Sequence, residues 1–168
     1  MSAIDRSALG YRALLEFTSI EQHRWHDWFV AHPYAWAIPF ATGRMATIGG
    51  VVHHIFGVEL RYGQRLRDEP VTEWDDFHET SIEDVFGLGD FARGQLVEFL
   101  TSAPENELDK VLTFKTFTAG QVTVNKHKIA SNVLLHGIRH WGQIATELRQ
   151  QGFTDQWPHD FLLSDVKL

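Results

Sequence analysis

The chain contains no cysteine. That absence excludes disulfides, thiolate metal ligands and a cysteine nucleophile, and it leaves His, Asp and Glu as the side chains able to ligate a metal. A reducing, cytoplasmic setting is expected. Basic residues are in deficit as well: 15 Lys and Arg stand against 22 Asp and Glu, a formal net charge of −7. Affinity gained by neutralising phosphates requires a basic face, so nucleic acid is not an expected partner. Long apolar runs are also missing, and no segment reaches the roughly 18 apolar residues that a membrane span needs. The opening MSAIDRSALGYRALLEF has no basic stretch leading into an apolar one, so neither a signal peptide nor a membrane partner is expected.

What is present is enough apolar material for a core. With 168 residues and 43% hydrophobic content, a single domain over residues 1–168 is expected. Proline is scarce, at 5 residues, and it falls between helical patterns rather than inside them. The first pattern runs from about Asp5 to Val30, with Leu14, Leu15, Ile20, Trp25, Trp28 and Phe29 at helical spacing and His32-Pro33 ending it. An aromatic loop, PYAWAIPFATG, follows. The second pattern covers roughly Met45 to Arg67 and stops at Asp68-Glu69-Pro70. It contains Gly49, Gly50, Gly57 and Gly63. Interior glycines cost up to about 1 kcal/mol each, so this helix is expected to depend on packing, with a backbone or ligand passing close to it. The third pattern opens at TSIE, where Thr80 can cap and Glu83 can reach back, and it ends near Ser102 before Pro104.

Between the third and fourth patterns, VLTFKTFTAGQVTVN alternates Leu112 and Phe114, then Val122 and Val124, around Ala119-Gly120. This predicts a short β-hairpin. An isolated hairpin is marginal, so it must pack on something. The last helix is predicted from about Asn125 to Gln151, with Gly152 as its left-handed terminator. The tail carries Trp157, Phe161, Leu162 and Leu163, and is too apolar to be a free linker. It is expected to fold back on the helices.

The chemistry concentrates in LLHGIRHWGQIATELRQQG. At about 100° per residue, His136 and His140 fall within roughly 40° of each other, on a stripe shared with Gln143 and Glu147. The apolar arc of Val133, Ile138, Trp141, Ile144 and Leu148 lies to one side, which puts the histidines at the border of the core. There an imidazole can face an internal cleft while its second nitrogen is held by another group. Two histidines at this spacing can equally pack and hydrogen-bond with no metal, since a zinc or nickel site wants a third protein ligand. A zincin is excluded because Gly137 follows the first histidine where that motif needs Glu. A di-iron carboxylate bundle is excluded because no Glu has His three residues later.

VVHHIFGVE in the second helix offers the missing ligand. His53 and His54 sit on opposite shoulders of its apolar arc, with His54 slightly nearer. Glu59 falls near the middle of the arc, where a carboxylate is costly unless paired or neutral. It reads either as a Glu reaching for the rim or as a buried acceptor behind a ligand. His23, His26 and Asp27 on neighbouring turns of the first helix could clip a metal, but read more simply as a solvated edge. His32, His78, His127 and His159 have no visible partner.

HIFGVE in a second helix, paired with HGIRHWGQIATELRQQG in a fourth across an aromatic loop, a third helix and a Thr-rich connection, resembles the DinB/YfiT-like superfamily of metal-binding four-helix bundles. Residues His136 to Gly152 follow its H-x-x-x-H-R-G-Q-(I/L)-x-x-x-L-R-x-x-G pattern, except that Trp141 stands where many members have Arg. The resemblance implies an all-α up-down-down-up bundle, often a homodimer. It implies His54, His136 and His140 as the protein ligands of one divalent metal ion, zinc or nickel. It further implies a small-molecule substrate and transferase chemistry with a low-molecular-weight thiol. A metal-dependent hydrolase and a non-catalytic, stress-response binding protein are the alternatives.

Overall fold

The computed structural model describes residues 10–40, 45–104, 106–116 and 118–167. All four expected helical patterns are helices. α1 spans Tyr11–Ala31, α2 Ile48–Leu66, α3 Ile82–Ser102 and α4 Lys126–Gln150; residues 5–9 of the first pattern lie outside the described residues. Thr47 caps α2 by accepting the Gly50 N–H, so that helix starts after the expected Met45. The cap of α3 is also one residue later than expected. TSIED holds two overlapping cap patterns, and Ser81 takes the role rather than Thr80: its hydroxyl accepts the Asp84 N–H at 3.1 Å and donates to Asp84 Oδ2 at 2.7 Å. Asn125 caps α4 through the Lys128 N–H, and Gly152 has φ +92° just beyond its end, the left-handed position only glycine adopts freely.

The hairpin is present. β1 (Val111–Thr116) pairs antiparallel with β2 (Gly120–Asn125), in a register from Val111 opposite Asn125 to Thr116 opposite Gly120. Leu112, Phe114 and Val124 on its inner face pack against a cluster of Leu66, Leu96, Phe99, Ile129, Val133 and Leu134. This contact supplies the support an isolated hairpin lacks. A second, larger cluster gathers Trp25, Phe29, Phe56, Phe86, Trp141 and Ile144, among others. Two glycines of α2 owe their place to rings rather than to a backbone or ligand. A Cβ on Gly49 would meet the Trp36 indole at 2.4 Å, and one on Gly57 would meet Trp74 at 2.7 Å.

The tail does fold back, though not with all its apolar residues. Trp157 donates from Nε1 to the buried Glu21 at 2.7 Å, and His159 bonds the other Glu21 oxygen at 2.8 Å. Phe161 stands edge-on to Phe17. Leu162 and Leu163, by contrast, are exposed.

Glu59 and Lys126 are buried inside this frame with their partners, as Glu21 is beneath the tail. Glu59 on α2 accepts two hydrogen bonds from Arg93 on α3, at 2.6 and 3.0 Å. Arg93 also reaches α1, donating to the Leu15 carbonyl, the Thr18 hydroxyl and Ser19 Oγ. Glu59 is the buried acceptor that one of the two readings expected, but it backs no metal-ligating histidine, because Arg93 takes both oxygens. Lys126, fully buried, opens α4 and donates to the Leu66 carbonyl at the end of α2, to Asp68 and to Glu107. Burial opposes its charge, but the bonds to Asp68 and Glu107 outweigh that cost and raise its pKa. Among the described residues, no helix is long and apolar enough to cross a membrane.

Removing one partner of a buried ion pair strands the other, at a typical cost of about 3–5 kcal/mol. Arg93→Ala is therefore expected to destabilise the protein in urea by that order, and Glu59→Leu with Arg93→Met by much less. A single-variant loss under about 1 kcal/mol would mean that solvent reaches the pair.

Candidate metal centre

α2 presents His54 and α4 presents His136 and His140, and the three converge. Their ring centroids lie 5.1 Å (His54 to His136), 5.1 Å (His54 to His140) and 4.4 Å (His136 to His140) apart. One nitrogen from each lies within 4.8 Å of the other two. His140 is buried; His54 and His136 are partly so, which matches a cluster at the border of the core.

Hydrogen bonding fixes which nitrogens face inward. The Nε2 atoms of His136 and His140 are 3.1 Å apart, and Arg139 Nη2 is also 3.1 Å from His140 Nε2. A guanidinium only donates, so His140 Nε2 is the acceptor and its proton sits on Nδ1. One lone pair therefore faces two donors. The Nδ1 atoms of both histidines are buried without a partner, as is Gln143 Oε1, a buried acceptor beside His140. With its proton on Nδ1, His140 can donate to Gln143 and still offer its Nε2 lone pair to an ion. Such a bond to the outer nitrogen is what orients a ligating imidazole, so the donor set fits a divalent cation.

The wall beside His54 is Trp74, from a short 3₁₀ turn (Trp74–Asp76). It stacks on the imidazole at 5.7 Å and 18°, and Arg61 covers the indole. Nothing periodic in VTEWDDFHET marked Trp74. His53 points elsewhere, to Glu79 at 3.3 Å. The first-helix candidates do not converge: His23 bonds the Ser19 carbonyl, His26 packs on Phe86, and Asp27 is exposed. Trp141 is a core residue, 4% exposed and stacked on Trp25.

A family model described as the DinB family matches residues 34–163. The chain belongs to the DinB family. The crystal structure of a DinB-like protein from Bacillus subtilis is similar to it, with a TM-score of 0.59 and 15% identity over 89% of this chain and 94% of that one. At that identity the likeness concerns the fold. No curated protein matches the sequence.

In this DinB family chain the cluster is held neutral. Burial, then the neighbouring His140, Arg139 and His53, pushes His54 from 6.5 down to about 4. Burial, then His140, His54 and Arg139, pushes His136 to about 3. Burial and Arg139 also lower His140. The three imidazoles are thus unprotonated at neutral pH, the state a metal ligand must have.

The folded-state values lie below the unfolded ones, so the unfolded chain binds more protons between them and stability falls as the pH drops through that window. Metal-stripped protein is expected to lose thermal stability from pH 6.5 towards 4, and a His54→Asn/His136→Asn double variant to lose less. Circular dichroism melts check this, and parallel pH profiles would remove the histidines as the cause.

Proposed function

We propose that this DinB family protein binds one divalent metal ion, zinc or nickel, through His54, His136 and His140, and acts with a low-molecular-weight thiol as a metal-dependent transferase. The observation that carries the metal reading is the meeting of three neutral imidazoles from two helices at a partly open border of the core. The thiol reading rests on the resemblance of HIFGVE and HGIRHWGQIATELRQQG to the superfamily pattern. Three neutral ligands leave a bound dication its full charge and open positions, which lowers the pKa of a thiol or water there.

The protein's own groups supply the rest. His54 is steadied by Trp74, His140 lies beside Gln143, and the cleft stays open on the Arg139 side for a small-molecule substrate. The proposal also takes in an up-down-down-up order of the helices, a single domain, a homodimer and a cytoplasmic setting. Trp141 lies in the core, so no contact to the thiol is assigned to it.

Metal content of purified variants tests the ligand set. His54→Ala, His136→Ala and His140→Ala are each expected to lose the metal with helicity retained, while His53→Ala keeps it. Equal loss from His53→Ala and His54→Ala would overturn the assignment. Cobalt-substituted protein tests the chemistry, because thiolate ligation gives a strong near-ultraviolet charge-transfer band. If glutathione and bacterial small thiols leave that spectrum unchanged, thiol transfer gives way to hydrolysis, which an ester and amide panel reads, or to binding without turnover.

A further inference from the structure

Arg139 stands between the histidine cluster and solvent. Its side chain, like those of Arg24, Arg65 and Arg149, forms no carboxylate ion pair among the described residues, whereas Arg12, Arg61, Arg67 and Arg93 each do. Its hydrogen bond goes to His140 Nε2. A guanidinium carries five N–H donors and no acceptor, so it has donors to spare at the mouth of the cluster.

The same arginine lines a groove of about 340 Å³ with Phe40, Gly142, Gln143, Thr146 and Glu147. Phe40 provides an apolar wall. Among the described residues, nothing stands within 4 Å of the position a Gly142 Cβ would take, so a ligand can lie against the α4 backbone there. The Thr146 hydroxyl is committed to the Gly142 carbonyl, and Gln143 Oε1 is buried on the His140 side. Among the described residues, Arg139 is the one cation of this lining and Glu147 the one carboxylate.

We propose that Arg139 makes this groove an anion site beside the histidine cluster, selecting small monoanionic carboxylates whose charged end lies at the guanidinium. The inference rests on the three-histidine metal reading, through one lone pair. His140 Nε2 cannot serve both a metal and Arg139. Once the lone pair is taken, the guanidinium loses its acceptor and faces a dication, and an anion between them satisfies both charges. The planar fork of arginine matches the two oxygens of a carboxylate. Glu147 in the same groove repels a second negative charge, which favours a monoanion over a dianion. A thiol carrying a carboxylate is thereby preferred over a neutral thiol.

The test uses full-length, cobalt-loaded protein and three probes: mercaptoacetate, 2-mercaptoethanol and acetate, each followed through the cobalt spectrum. In the wild type, mercaptoacetate is expected to bind about tenfold or more tighter than 2-mercaptoethanol, the scale of one charge-assisted hydrogen bond. Arg139→Gln should abolish that preference and weaken acetate about tenfold, each read at matched cobalt occupancy because the variant frees the His140 Nε2 lone pair for the metal; Arg139→Lys, which keeps the charge but not the fork, should fall between. A preference that survives in Arg139→Gln overturns the proposal, as does its absence in the wild type. If neither thiol binds, the thiol reading fails by itself and acetate decides: weakening in Arg139→Gln sustains the anion site, while equal or absent acetate binding removes it.

Discussion

The ion pair between Glu59 and Arg93 is the constraint on which the placement of the site depends. Both charges are largely out of water, so each needs the other, and the cost of separating them is far larger than that of a surface pair. Arg93 reaches α2 and α1 at once, so the pair locks three helices at one level. It also fixes the rotation of α2 about its own axis. Glu59 lies five residues after His54, about 140° around the helix. With Glu59 turned to α3, His54 is turned away from α3 and towards α4, and His53 is carried to Glu79.

Rotation alone does not bring three rings together; the helices must also be in axial register. Lys126 sets it by tying the first residue of α4 to the last carbonyl of α2. From Leu66 back to His54 is 12 residues, about 18 Å of helix, while Lys126 lies 10 residues from His136 and 14 from His140, about 15 and 21 Å. His54 therefore stands level with the midpoint of the α4 pair. The same arithmetic makes α2 and α4 antiparallel, since both paths run in one direction from a shared end. A buried lysine is costly, yet here it satisfies a helix C-terminal carbonyl and two carboxylates together, the condition under which such a charge is tolerated.

Much of this was legible in the sequence, and the failures share a cause. Helix extents, the hairpin, Asn125 and Gly152 follow from local signals: period, capping side chains and a glycine at positive φ. The histidine trio was legible through the motif, because i,i+4 spacing on α4 is itself local. Glu59 was visible as a carboxylate on an apolar face, but its partner was not, since Arg93 sits between Ala92 and Gly94 on another helix and looks like an ordinary surface charge. Lys126 looks like a solvated first-turn residue until the hairpin and residues 107–109 cover it. The Ser81 cap was missed by one residue because two overlapping patterns compete there. Trp74 belongs to no periodic segment, and only its ring on His54, in the space left by Gly57, reveals its role.

The site that results combines two environments that ordinarily exclude each other. Burial, with repulsion from the neighbouring His and Arg side chains, keeps His54 and His136 neutral well below physiological pH, so their ligand nitrogens are available without proton release. Such lone pairs in a dry core have no solvent donor and sit in the wrong environment for polar atoms. Here the cluster lies at the rim, with Arg139 donating into it from the solvent side and Trp74 closing the opposite shoulder. Arg139 therefore has two effects: it lowers the affinity of the cluster for protons, and it satisfies an inward-facing lone pair when nothing else does. A cation that displaces Arg139 from that lone pair leaves a guanidinium at the mouth of the groove. Occupation of the histidines and recognition of an anion are thus coupled through one nitrogen atom, His140 Nε2.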